Sequence, residues 1–160
     1  MKDKLDFYIN GEWVSSSSAE TIEVVNPATE EVIGSIGAGT KEDINNAVSA
    51  AKEAFKTFSK TTAAERSTYI QSIIEIYERR IDEVAQTITE EMGSPLWLSQ
   101  VAQATTGISH FKSTLVELEK FEFEKNSNNY IERKEAIGVV GMITPWNWPM
   151  NQMCTKVASA

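Results

Sequence analysis

The sequence predicts an α/β fold, and three observations point to it. Short β-favouring runs bracket turn residues near the start, amphipathic helical spacing dominates 40–118, and an apolar run at 137–143 leads into a proline-flanked corner and a further helix. That last run has no polar face, so it calls for cover on both sides, as in a parallel sheet.

The elements follow in order. The runs 7–10 and 13–14, separated by Gly11-Glu12 and followed by the polar tract 15–18, read as a small hairpin and an exposed loop. Alternation at 21–25, a turn at Asn26-Pro27 and a second extended run at 31–36 predict another hairpin or meander. Thr40-Lys41-Glu42-Asp43 resembles a capping signal, and Ile44, Ala47, Val48, Ala51, Phe55 and Phe58 recur at helical spacing behind it. Thr62 is placed to cap a second helix with Ile70, Ile73, Ile74 and Tyr77 on its apolar stripe. A third helix is expected over 82–92, closed by Gly93, and Pro95 is placed in the first turn of a fourth that carries Leu98, Ile108, Phe111 and Leu115. The cluster 125–129 reads as a polar turn, 130–135 as a half-exposed strand, 137–143 as a buried one, and Pro149 opens a helix in which the sequence ends.

Bulk composition narrows the class. In 160 residues, 41% hydrophobic and 24% charged, the values are those of a folded globular chain. A net charge of -8 with scattered Lys and Arg gives no basic face for phosphates, which argues against nucleic acid and against an anionic membrane surface. Cys154 is the lone cysteine and no Cys/His cluster has metal-ligand spacing, so a reducing cytoplasm and no metal are expected. The first ten residues lack the apolar stretch of a signal peptide, and no run approaches a membrane span.

Chemistry concentrates at 143–149. A buried strand running into a twice-proline turn and then a helix would put side chains at the carboxyl edge of a sheet, where open α/β folds bind ligands. Asn147 sits at the apex. It reads either as a simple Asx turn or as a neutral amide donor aimed at a developing oxyanion by a proline-restricted backbone. Cys154 lies within the following helix with no local His or cation to activate it, so it reads as an inert helix cysteine. His110 reads as a packed or surface residue, and the pairs Glu30-Glu31 and Glu90-Glu91 as solvated charge. The glycines at 34–39 form a turn and not a phosphate loop, because no buried parallel strand precedes them.

The stretch IGVVGMITPWNWPM at 137–150 resembles the aldehyde dehydrogenase superfamily pattern IGVVGxIxPWNFPL. Earlier segments agree in the same order: YINGEW at 8–13, NPATEEVI at 26–33, the helix from Ala47 to Phe55, and EMGSP at 91–95. The resemblance covers essentially the whole chain and about the first third of a typical member. It implies oxidation of an aldehyde to an acid with NAD or NADP, through a cysteine thiohemiacetal and hydride transfer.

By that resemblance Asn147 is the oxyanion-hole asparagine, Ile143, Thr144, Pro145 and Trp146 line the cofactor site together with Asn147, and Trp148 and Gln152 belong to the substrate tunnel wall. Lys156 matches a lysine common at that helix position, with a structural or indirect role. Ser94 stands where the family often has Lys, and Ala136 where it often has Pro. The implied fold is the first part of a Rossmann-like cofactor domain: 1–117 its amino-terminal part, 118–136 the start of a strand extension through which subunits form homo-oligomers, and 137–160 the first core strand, the corner and the start of a helix. The nucleophilic cysteine, the general-base glutamate and the ribose-binding residues of the family lie beyond Ala160, so the chain alone is expected to be inactive. The alternative is a non-catalytic interaction or oligomerisation module.

Overall fold

The computed structural model describes residues 3–160. Strand β1 (Asp6–Ile9) pairs antiparallel with β2 (Glu12–Ser15) across Asn10 and Gly11, whose φ values are 56° and 82°. Two positive φ angles in a two-residue loop match the right-handed twist of the strands, which is why Asn-Gly and not Gly-Glu forms the turn. Strand β3 (Thr21–Asn26) pairs with β4 (Glu31–Gly37), and the register steps from Val24 opposite Gly34 to Val25 opposite Val32, leaving Ile33 as a bulge. Asn26 Oδ1 accepts from the Ala28 N–H at 2.9 Å, closing the turn expected at Asn26-Pro27.

Helix α1 (Lys41–Phe58) starts at a reciprocal cap: Thr40 Oγ1 accepts from the Asp43 N–H and the Asp43 carboxylate accepts from the Thr40 N–H. Thr62 and Glu65 repeat the arrangement at α2 (Ala63–Arg79). Both boundaries are local chemistry, set by groups three residues apart. Helix α3 (Ile81–Met92) ends on Gly93 at φ 72°, where an added Cβ would meet Pro27 Cγ at 2.8 Å. Pro95 lies just before α4 (Leu96–Leu98) with φ -55° and ψ 136°, not inside its first turn. A π-helical segment, Ser99–Gln103, then leads without a break into α5 (Ala104–Leu118).

The π segment was not expected from the spacing. It turns Ser99 and Gln103 inward, where Thr89 Oγ1 donates to Ser99 Oγ at 2.9 Å and Gln103 Nε2 donates to Ser94 Oγ at 3.4 Å. The core lies between α2, α5 and α6 (Pro149–Ser159), built from Ile74, Tyr77, Ile108, Phe111, Cys154 and Ala158. Tyr77 Oη donates to the Ala104 carbonyl at 2.8 Å, and burial raises its pKa well above the usual phenol range, with Cys154 adding to the effect. Helix–helix approach is close enough that only glycine fits at 107: a Cβ there would stand 2.5 Å from Tyr77 Oη.

Strands β5 (Glu124–Asn126) and β6 (Ile131–Arg133) form a third, fully exposed hairpin. Part of the polar cluster 125–129 is therefore strand. Arg66 of α2 sits over the Phe123 ring at 4.6 Å and Lys134 over Phe121 at 5.3 Å, tying the hairpin base to the helices.

The apolar run 137–143 departs from expectation. It joins no sheet, and Ile137 and Ile143 are 93% and 91% exposed. A strand apolar on both faces needs a neighbour on each edge and a layer on each side. The described residues supply only two-stranded antiparallel sheets and a single parallel bridge between Lys4 and Ile36, so the run has nothing to pair with among them. Helices and small sheets make an α/β fold; the buried first strand is absent from it.

Candidate functional site

The corner is built by backbone restriction. Pro145 fixes one φ, Pro149 occupies the first position of α6, and Trp148 between Asn147 and Pro149 is held at φ 56° and ψ 56°. A bulky aromatic in the left-handed region costs about 1–3 kcal/mol and persists where its surroundings over-determine it, which is a mark of functional corners. The Trp148 carbonyl accepts from the Gln152 N–H at 3.0 Å, so α6 begins directly at the strained residue.

Thr144, Pro145 and Trp146 share one open groove of about 670 Å³ with Ile88, Glu91 and Met92 of α3. The structure brings these three expected site residues together. Ile143, Asn147, Trp148 and Gln152 do not line that groove. Asn147 is exposed, Trp146 is 80% exposed, and the corner as a whole lies open. Gln152 Oε1 instead accepts from Lys156 Nζ at 3.4 Å, one turn along α6, so Lys156 is tied to the expected tunnel residue.

Electrostatics of the groove are acidic. Arg80 on its wall is engaged by Glu83 through two hydrogen bonds of 2.8 Å. Glu91 is partly desolvated there, which raises its carboxyl pKa, and repulsion from Glu90 adds to the rise. Glu91 is exposed, as the sequence suggests, with its carboxyl perturbed at the edge of the groove.

Cys154 points into the core at 1% exposure, and burial pushes its thiol up to about 11. A thiol so placed is not an available nucleophile in this fold. His110 bridges α5 to α6, with Nε2 2.7 Å from Asn151 Oδ1 and Nδ1 3.0 Å from Thr155 Oγ1. Sequence reasoning missed this bridge and the α3 wall of the groove, because both join residues far apart in the chain with no local signature.

The aldehyde dehydrogenase family model matches residues 13–160. This chain belongs to the aldehyde dehydrogenase family. The family holds although 137–143 is unpaired, so membership does not depend on that run lying in a sheet within this chain. A Staphylococcus aureus protein (strain bovine RF122 / ET3-1) assigned to the aldehyde dehydrogenases is 48% identical over all of this chain and 34% of its own length. The chain thus spans about a third of the length of the curated relatives it matches. A crystal structure of an aldehyde dehydrogenase from Bartonella henselae aligns with TM-score 0.93 and 41% identity, over 96% of this chain and 33% of that one. Aldehyde dehydrogenase C from Pseudomonas syringae, solved as a mutant with NAD+ and octanal, aligns with TM-score 0.94 and 37% identity, over 96% and 32%.

Proposed function

We propose that this chain is the amino-terminal part of an NAD(P)-dependent aldehyde dehydrogenase oxidising an aldehyde to a carboxylic acid, with Asn147 as the oxyanion donor. The observation that carries the reading is the corner itself: Thr144, Pro145 and Trp146 line one groove, and Asn147 follows on backbone restricted by two prolines and a left-handed Trp148. Ile143, Thr144, Pro145 and Trp146 stand beside the cofactor, with Trp148 and Gln152 toward the aldehyde.

The groove supports the nicotinamide end of the cofactor and not its pyrophosphate. Its volume is within the range of small-ligand sites, Trp146 offers a ring face and Thr144 a hydroxyl. The Glu91 carboxylate suits a cationic oxidised ring and opposes an anion, while Arg80 and Glu83 neutralise each other as an ion pair. When bound, the nicotinamide supplies the hydride acceptor. The Asn147 amide donates a hydrogen bond to the aldehyde oxygen as a cysteine of the longer enzyme adds to the carbonyl carbon to form the thiohemiacetal; a neutral donor stabilises the developing charge without needing to titrate. The strain at Trp148 and the two prolines keep that amide from relaxing into a local turn.

The same proposal divides the chain at 1–117, 118–136 and 137–160, takes 137–143 as the first strand of a Rossmann-like sheet completed by the longer protein, and assigns homo-oligomerisation to the 118–136 extension. The isolated chain is inactive, since its one cysteine is buried in the helical core. Two assays test this. Purified chain with NAD or NADP and an aldehyde panel shows no turnover, and turnover above background overturns the inactivity. A chimera completing the chain with the remaining two-thirds of the Staphylococcus aureus relative is active, and Asn147→Ala lowers its kcat by about 10²–10³-fold; an unaffected kcat removes Asn147 from the chemistry.

A further inference from the structure

We propose that His110 is a positioning residue for the 144–148 corner, a role that rests on reading that corner as the reaction side of the chain. Helix α6 begins without a side-chain cap, since Trp148 occupies the cap position and makes no side-chain bond to the helix. Something outside the helix must hold its first turn against the strain at Trp148.

Two contacts from α5, about one turn apart, do so. At Gly107 the helices approach so closely that a Cβ would stand 3.0 Å from Met150 Cβ. At His110 both ring nitrogens engage α6: Nε2 lies 2.7 Å from Asn151 Oδ1, and Nδ1 3.0 Å from Thr155 Oγ1. An amide oxygen only accepts, so Nε2 donates a proton toward Asn151, while Nδ1 pairs with the threonine hydroxyl. The imidazole is thereby held in one ring orientation, gripping two successive turns of the helix that starts at the corner. Asn151 is in the first turn, so rotation or sliding of α6 would carry Trp148 and Asn147 with it. A merely solvated histidine needs no such pair of partners on one neighbouring helix.

The chain contains a single histidine, so its ring nitrogens give one unambiguous set of NMR signals. The wild-type chain is expected to show the pattern of one fixed imidazole, with Nε2 protonated toward Asn151; an averaged, interconverting pattern overturns the proposal. His110→Ala is expected to shift the indole N–H signals of Trp146 and Trp148 and the side-chain amide of Asn147, while Trp13 and Trp97 stay in place. His110→Gln, which keeps an N–H donor toward Asn151, returns them toward wild type. Corner signals that stay put in His110→Ala, or fail to return in a folded His110→Gln, overturn the role. Should His110→Ala move all four indoles together by unfolding, Asn151→Ala decides: it leaves α5 intact and is expected to release the ring, and a fixed imidazole pattern that survives sinks the proposal. None of these readouts needs turnover, so an inactive chimera would remove the aldehyde-oxidising reading and leave the His110 result standing.

Discussion

The serine-rich loop that meets α1 and the proline corner that opens α6 invert what their compositions suggest. Polar residues 15–18 read as an exposed loop, yet the Asp43 carboxylate behind them is buried and accepts from Ser17 N–H, Thr40 N–H, Ser16 Oγ and Thr40 Oγ1. The apolar run 137–143 reads as a buried strand, yet Ile137 and Ile143 at its two ends lie almost fully open. In the first region Ser15 and Ser17 stay exposed as the composition suggests, but the Asp43 carboxylate is enclosed because its donors lie within this chain. The second is open because apolar surface on both faces of an extended segment has no matching surface here. Polarity alone therefore predicts burial poorly when the partners of a group are unevenly distributed along the chain.

That contrast is best broken at Asp43. Asp43→Ala leaves donors of Ser16, Ser17 and Thr40 without their shared acceptor, and its loss of melting temperature is expected to exceed that of any other stability change named here. Thermal unfolding followed by circular dichroism gives the ranking. The same residue sets a pH dependence. Hydrogen bonds from Ser17 and Thr40 hold the Asp43 carboxyl well below the usual carboxylate range. Its stabilisation is therefore present above the unfolded-state pKa of about 4 and is lost as pH falls through the depressed folded value. Asp43→Asn is expected to flatten the acid limb of a melting-temperature profile; an unchanged limb means the network is not formed.

Next in size is Gly107→Ala, which pushes a methyl against Tyr77 Oη and Met150 and should cost about 1–3 kcal/mol by urea denaturation. Thr62→Ala removes one half of the α2 cap and should cost about 1 kcal/mol by the same measurement. Cys154 sharpens the comparison from the buried side: thiol labelling of native chain at mild alkaline pH should be slow and should accelerate in denaturant, because burial holds the thiol protonated up to about 11. Fast native labelling would mean α6 is not docked. Smallest of all, Ile137→Ser and Ile143→Ser should stay within about 0.5 kcal/mol of wild type, since neither side chain is packed. A larger loss would show that the run is covered in solution.

Much of the fold was legible because its signals are short. Thr40, Thr62 and Gly93 mark helix ends through bonds or dihedral angles within a few residues, and the apolar stripes on α2 and α5 deliver Ile74, Tyr77, Ile108 and Phe111 to the core. The Asn10-Gly11 turn was readable and misassigned by one residue, since the demand for two positive φ angles selects Asn-Gly. The π segment at Ser99–Gln103 carries no sequence pattern distinct from an α-helix, so its inward Ser99 and Gln103 were hidden. At the candidate site, 143–149 stood out by its prolines and by resemblance, while Glu91 and His110 became visible only when α3 and α6 met residues distant in sequence.

The sequence by itself determined the family, the helix boundaries and the rigid backbone around Asn147, because each depends on residue identity or on bonds spanning a few positions. Tertiary structure decided which surfaces are covered: it enclosed the Asp43 carboxylate, buried Cys154, gathered Thr144, Pro145 and Trp146 against α3, and left 137–143 unpaired. Burial is a property of where distant segments meet, and no local pattern carries that information.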